Sequence, residues 1–218
     1  MKLPPWSYSH LSTADNCLHQ YFHRFVLKDA PFVESSQQKA GKAVHEALAA
    51  RIIKKRQLSA DYDSLEPICA GLEQDGYEVQ AELKLGVRLD RSPCGFFDED
   101  VWGRCVADVV QFNGEAATLW DWKNGKVRED PMELKVQACF LKAKYPQLKR
   151  IEGRYMWLKP RTLGVRYDLS DTEAYWQTIL ERIMDLVRCY RLDAWPKNQT
   201  PLCGWCEVFS CEHNRAKK

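Results

Sequence analysis

The chain alternates between two hydrophobic periods. Over residues 9–27 Leu11, Ala14, Leu18, Tyr21, Phe22 and Phe25 recur at helical spacing, with Ser9 or Ser12 as cap. Ala30-Pro31 breaks this run. Over residues 35–57 Val44, Leu48 and Ile52 form a second apolar stripe. It ends in Lys54-Lys55-Arg56, a basic turn that suits the negative end of a helix dipole. Residues 61–75 predict a shorter helix ending near Gly76. Period two then takes over, and 78–90, 101–112 and 116–123 read as strands. Ser92-Pro93-Cys94-Gly95 and Asn113-Gly114 mark the turns between them, the second a hairpin signal. Asp130 caps the next helix with Pro131 in its first position, and Leu134, Ala138, Leu141 and Tyr145 carry it to Pro146. Strands at 151–158 and 163–169 flank a Lys159-Pro160 turn. Ser170-Asp171-Thr172-Glu173 reads as a capping box for a long helix through Tyr190. From Trp195 the chain reads as loop.

Helices, three antiparallel strands, a helix, then two strands and a helix make an α+β fold, with helices flanking a mixed central sheet. The 218 residues fit a single domain over 1–218, with 45% apolar residues to fill its core. No apolar run approaches the roughly 18 residues of a membrane span. The opening Met1-Lys2-Leu3-Pro4-Pro5-Trp6 has no secretory core, so a cytoplasmic protein without membrane contact is expected. Nine cysteines, an odd number, then read as thiols or metal ligands. A net charge of +2 excludes a protein coated in basic residues. Positive charge comes in runs instead, at 54–56, 123–128, 142–150 and 159–166, which make a groove only where the fold gathers them.

Candidate chemistry centres on Asp121-Trp122-Lys123, which ends an apolar strand. Asp108 lies on the neighbouring strand, flanked by Val106, Ala107, Val109 and Val110, where an unpaired carboxylate would be costly. Strands about 4.8 Å apart let two such acids share one cation. Lys123 leaves its strand on the same face as Asp121, within reach of an attacking water or a phosphate. Trp122 points the other way and offers its backbone carbonyl as a ligand. His45 would close the cage from its helix, and an imidazole ligand suits Mn²⁺ as well as Mg²⁺. Glu82 is a candidate outer ligand, and Gln137 a side-chain amide that orients Lys123 or a phosphate. Such a constellation suits phosphodiester hydrolysis.

The series resembles the PD-(D/E)XK nuclease superfamily, in its RecB-type branch. That branch carries G-x-x-x-H, an Asp on one strand, D-x-K on the next and Q-x-x-x-Y on the following helix. Gly41/His45, Asp108, Asp121/Lys123 and Gln137 match in order. Leu141 stands where the Tyr belongs, with Tyr145 one turn later, and the Gly before Asp108 is Gly103. The resemblance spans residues 9 to 213 and implies a restriction-endonuclease-like core. It implies that His45, Asp108, Asp121 and the Trp122 carbonyl hold Mg²⁺ or Mn²⁺ and that Lys123 assists attack. The expected activity is a DNA exonuclease on single strands or ends, with recombination or replication proteins as partners and a phage or mobile element as source. A non-catalytic DNA-end-binding or recombination accessory module and an RNA-processing nuclease are the alternatives.

Cys203-Gly204-Trp205-Cys206 with Cys211 is a C-x₂-C-x₄-C run in the tail over 195–213. Cys17 lies near the other end. By spacing alone the run suits an iron–sulfur cluster, a zinc site with His213 as spare ligand, or free thiols. Iron–sulfur members of the branch, which include a CRISPR spacer-acquisition family and AddB-type subunits, hold a [4Fe–4S] cluster with one early and three late cysteines. The resemblance thus assigns Cys17, Cys203, Cys206 and Cys211 to a cluster that joins the helix over 9–27 to the tail. Cys69, Cys94, Cys105, Cys139 and Cys189 are read as buried thiols.

Overall fold

A computed structural model describes residues 4–30, 34–73, 76–125, 127 and 130–215. The chain divides into two compact units, Ser36–Trp176 and Met1–Ser35 with Gln177–Lys218.

The first unit is built on strands β1 (Glu78–Val87), β2 (Pro93–Cys94), β3 (Gly103–Asn113), β4 (Ala116–Lys123), β5 (Arg150–Trp157), β6 (Thr162–Leu163) and β7 (Tyr167–Asp168). They form one mixed sheet in the order β2-β1-β3-β4-β5-β6, with β7 also on β5. The β3–β4 hairpin turns through Gly114, whose φ of +58° is the left-handed conformation a two-residue loop needs. β4 and β5 run parallel, so the chain must cross over between them, and helix α5 (Met132–Lys144) makes that crossing. Helices α3 (Ser36–Lys54) and α4 (Glu66–Leu72) supply Leu48, Ile52, Cys69 and Leu72 to a core shared with Ala81, Val109, Trp122 and Met156. Arg51 fastens α4 to α3 through Glu66 (2.7 Å) and Glu73 (3.1 Å).

The second unit joins both ends of the chain. Helix α1 (Tyr8–Asn16) stops at Cys17, which is extended, and α2 (Leu18–Tyr21) runs into a π-turn over Phe22–Leu27. The greater part of α6 (Thr172–Leu192) also belongs here. Trp195 stacks on Tyr21 and Phe22, with ring centroids 5.9 and 4.9 Å apart. His19 N–H donates to the Pro196 carbonyl, and Gln20 to Glu207 at 3.0 Å.

Several predicted boundaries shift for local reasons. The 92–95 turn contains edge strand β2, where Pro93 has no ladder bond to lose. The 163–169 strand splits in two because the Arg154 guanidinium takes the Gly164 carbonyl at 3.0 Å. Pro131 is the cap position of α5 and Asp130 accepts from Met132 N–H at 3.0 Å, one residue later than expected. In the 170–173 box, Asp171 accepts the Ala174 N–H, while Ser170 Oγ accepts from Ile151 N–H instead. The 195–213 tail holds a 3₁₀ turn over Pro201–Trp205, capped by Thr200. Cys94 is half-buried, whereas Cys69, Cys105, Cys139 and Cys189 are buried.

Gly153 of β5 lies where a Cβ would meet Leu169 at 2.5 Å and Leu134 of α5 at 3.3 Å. Gly153→Ala should therefore overpack this layer and cost about 1–3 kcal/mol. Urea unfolding checks this: the midpoint should fall with the slope unchanged.

Candidate active site and cysteine pocket

β1 and β3 pair with regular register on both sides of residues 82 and 108, as Ala81↔Val109 and Leu83↔Ala107, but these two drop out of the ladder. Glu82 is left-handed there, with φ of +53°, a conformation that a residue with a Cβ adopts only under constraint. The alternation of faces reverses across this kink. Val109 packs in the core with α3 and α4. Cys105, four residues earlier, instead feels the charges of Glu133 and Asp121 and the Cys139 thiol of α5. Asp108 stands at the reversal. The β3–β4 ladder also ends beside it, and Asp108 Oδ2 accepts the freed Trp122 N–H at 2.8 Å.

Asp121 is 2% exposed. Gln137 Nε2 of α5 donates to its Oδ1 at 2.9 Å, and Lys123 Nζ lies 2.6 Å from its Oδ2. Lys123 also donates to Glu133 Oε2 at 2.6 Å. Glu133 escaped the sequence reading because an acid in a first helical turn has a ready role at the helix dipole. The available signal was its place four residues before Gln137, on the same helix face. Gln137 is buried at 2% exposure and contacts Asp121, not Lys123 or solvent. Leu141 is wholly buried one turn later, and the Tyr145 ring packs tilted against Phe112 at 5.0 Å.

His45 comes from the other side of the sheet. Its Nδ1 is 3.5 Å from Asp108 Oδ1, and its ring meets Trp122 edge-on at 5.8 Å. Gly41, one turn earlier, lets α3 approach the end of β4, since a Cβ there would meet Asn124 at 3.3 Å. Burial lowers the His45 pKa, but the Asp108 hydrogen bond and the charges of Asp108 and Asp121 outweigh it and leave it raised. Partial burial, then the Asp108 charge, raise Glu82. The structure thus brings His45, Glu82, Asp108, Asp121 and Lys123 together and adds Glu133. Four carboxylates are hard donors suited to Mg²⁺ or Mn²⁺, and the imidazole is a borderline donor that Mn²⁺ accepts more readily. Among the described residues, ligand atoms gather within 4.8 Å only in a different trio, Cys94, Asp98 and Asp100. Near Asp121 the compensating positive charge is the Lys123 ammonium.

The four cysteines named from the chain ends line one pocket with Asn198 and His213. Asn198 N–H donates to Cys17 Sγ and Thr200 N–H to Cys203 Sγ, both at 3.4 Å. No three of these sulfurs lie within 4.8 Å of one another.

Burial raises the Asp121 pKa to about 7, with Glu133 adding to the rise and Lys123 opposing it. An acid whose folded pKa exceeds its unfolded value, about 3.9, binds its proton more firmly when folded. Without cations the folded state should therefore lose stability as pH rises from about 4 to about 7. Asp121→Asn should be more stable than the native chain at about pH 8, and this gain should shrink to nothing by about pH 4. Urea unfolding across that range in cation-free buffer checks it; parallel curves would mean that Asp121 stays ionised throughout.

A comparison with curated proteins finds no match. Among solved structures, the crystal structure of a protein called SSO0001 superposes with a TM-score of 0.52 at 13% identity, covering 98% of this chain and 89% of the other. At that identity the likeness is one of fold. No helix among the described residues is long and apolar enough to cross a membrane. The profile of the PD-(D/E)XK nuclease superfamily matches residues 5–211, nearly the whole chain. With the mixed sheet and its helices in place, the chain belongs to the PD-(D/E)XK nuclease superfamily.

Proposed function

We propose that this chain is a Mg²⁺- or Mn²⁺-dependent deoxyribonuclease that acts as an exonuclease on single-stranded DNA or DNA ends. One observation carries the reading. The Lys123 ammonium is held between Asp121 and Glu133, 2.6 Å from each, on the strand next to Asp108. A module that only binds DNA gains nothing from burying a carboxylate, which repels phosphate, together with the ammonium that offsets it.

Asp108, Asp121 and His45 would hold the cation, with Glu82 outside them. The Trp122 carbonyl leaves β4 on the same side as its N–H, which faces Asp108. A bound cation supplies Lewis acidity toward a phosphodiester oxygen and the attacking water. Gln137 fixes the Asp121 carboxylate by donating to Oδ1, leaving Oδ2 for charge. Asp121 and Glu133 keep the Lys123 proton in place, raising its pKa despite burial. That ammonium then meets the negative charge that grows on the phosphate as the oxygen attacks, which is where preorganised charge lowers a barrier.

The cysteine pocket supports an iron–sulfur staple between the N-terminal helix and the tail. N–H donors aimed at Cys17 and Cys203 stabilise thiolates, the form in which cysteine holds iron.

Asp108→Ala, Asp121→Ala and Lys123→Ala should each lower cleavage by at least about 100-fold, the scale of one lost charge-stabilising group. Only the Asp variants should also weaken Mn²⁺ binding, and His45→Ala should lose any preference for Mn²⁺ over Mg²⁺. Cleavage of single-stranded, duplex and RNA substrates with each metal provides the measurement; full activity in Asp121→Ala refutes the reading.

Serine at Cys17, Cys203, Cys206 or Cys211 should remove iron and sulfide together and lower thermal stability, because cluster binding is coupled to folding. Serine at Cys69 should leave iron unchanged. Elemental analysis of anaerobically purified protein decides it, and stoichiometric zinc without iron would replace the cluster assignment.

A further inference from the structure

Beyond the kink at Glu82, β1 and β3 turn one side to solvent. Lys84 of β1 is exposed and pairs with Val106 of β3, which is 36% exposed, while Leu85 and Cys105 are buried. One pair further on, Gly86 faces Arg104. Over these residues lies the segment that follows β2, with Phe96 and Phe97 edge-to-face at 5.0 Å. Phe97 is 74% exposed. Lys84 Nζ sits 5.9 Å from the Phe96 ring centre and 5.5 Å from that of Phe97. The Arg104 guanidinium sits at 5.5 and 5.9 Å.

The two cations are not matched to carboxylates. Among the described residues neither Lys84 nor Arg104 forms a salt bridge, and the buried Arg104 Nε has no hydrogen-bond partner. Two acids of the same segment, Asp98 and Asp100, face Arg88 at 3.7 and 2.5 Å. The cations meet the two rings rather than a carboxylate, so the surface combines exposed aromatic area with positive charge that no ion pair neutralises. It also adjoins the carboxylates. Lys84 is two residues from Glu82 and its charge is felt at that carboxyl, and Val106 is two residues from Asp108.

We propose that Phe96, Phe97, Lys84 and Arg104 form a stacking platform for an unpaired nucleic-acid strand whose phosphodiester backbone passes on to Asp108 and Asp121. The inference rests on the nuclease reading of those carboxylates and specifies what feeds them. An exposed ring accepts the face of any base, so stacking holds a strand without reading its sequence. The cations neutralise the phosphates on either side. In a duplex the base faces are already stacked on one another, and the platform would have no partner. A peptide would have little use for two adjacent cations beneath rings, whereas a polyanion with flat apolar bases uses both.

The test is equilibrium binding of a short labelled oligothymidylate, a duplex of the same length and an abasic strand, by the whole chain with divalent cations withheld. Phe97→Ala and the Phe96→Ala/Phe97→Ala pair should weaken single-strand binding about 10- to 100-fold, the loss of one or two base stacks. Phe97→Trp should restore it. Duplex and abasic-strand binding should change less than twofold in the same variants. Lys84→Gln should instead weaken every ligand and lower the single-strand salt slope by about 0.7, the value of one phosphate contact. Because Phe97 is exposed, its variants should keep the native unfolding midpoint. Single-strand affinity unmoved by the double substitution overturns the platform, as does an equal loss on the abasic strand. Cleavage tells the two readings apart: a native chain that cuts with Mn²⁺ while Phe97→Ala binds normally keeps its nuclease assignment. A native chain that cuts nothing loses that assignment whatever the binding shows.

Discussion

A carboxylate inside a sheet has to be answered by its surroundings, and Asp121 is such a group. Moving an ionised acid out of water costs several kcal/mol unless opposite charge and hydrogen-bond donors replace the solvent. Here Lys123 supplies the charge from the same strand, and Gln137 supplies the donor from α5. The Gln137 contact depends on α5 lying over β4, the crossing that the parallel β4–β5 pair requires. Glu133 then shares the ammonium and leaves the group with one negative charge in excess. This small imbalance is the physical reason the pocket favours an additional cation, whether a proton or a metal ion.

The second constraint is the kink. A regular β1 and β3 would keep Glu82 and Asp108 on one face and bury them or expose them along with their neighbours. By adopting φ of +53° at Glu82, the chain reverses its alternation where β3 parts from β4. Asp108 is then free to take a backbone N–H of β4 while facing His45 across the edge of the sheet. The same reversal lets α5 cover Leu85 and Cys105 while leaving Lys84 and Val106 in water. One strained residue thus serves both the carboxylate end and the exposed end of the strand pair.

Most elements were legible because their periodicity was unmixed. β4, predicted over 116–123, is found over Ala116–Lys123, and the restriction-endonuclease-like α+β sheet with its flanking helices is present. Asp121 and Lys123 share a face, as two-residue spacing requires. Two boundary misses come from side chains that bond to the backbone from a distance. Arg154 splits the last predicted strand, and Ser170 leaves its helix to bond Ile151. Glu133 was hidden because its partner, Lys123, sits on another element. The face reversal was hidden because a left-handed Glu has no signature in composition. From sequence Gln137 points toward Lys123 or a phosphate, and only the packing of α5 shows that it donates to Asp121.

The unit made of both chain ends has a consequence for the order of synthesis. Residues 8–27 emerge from the ribosome well before their partners Trp195, Pro196, Asn198 and Glu207. The unit over Ser36–Trp176 lies wholly between them and can assemble as soon as it is made, because domains fold as units during translation. The N-terminal helices must meanwhile remain without their native cover, with Tyr21 and Phe22 facing solvent. Closing so long a loop is slow, since its entropy is lost before any contact rewards it. Assembly of this unit is therefore paced by the arrival of residues 195–207, and until then the nascent chain is more exposed to aggregation and proteolysis than the folded one.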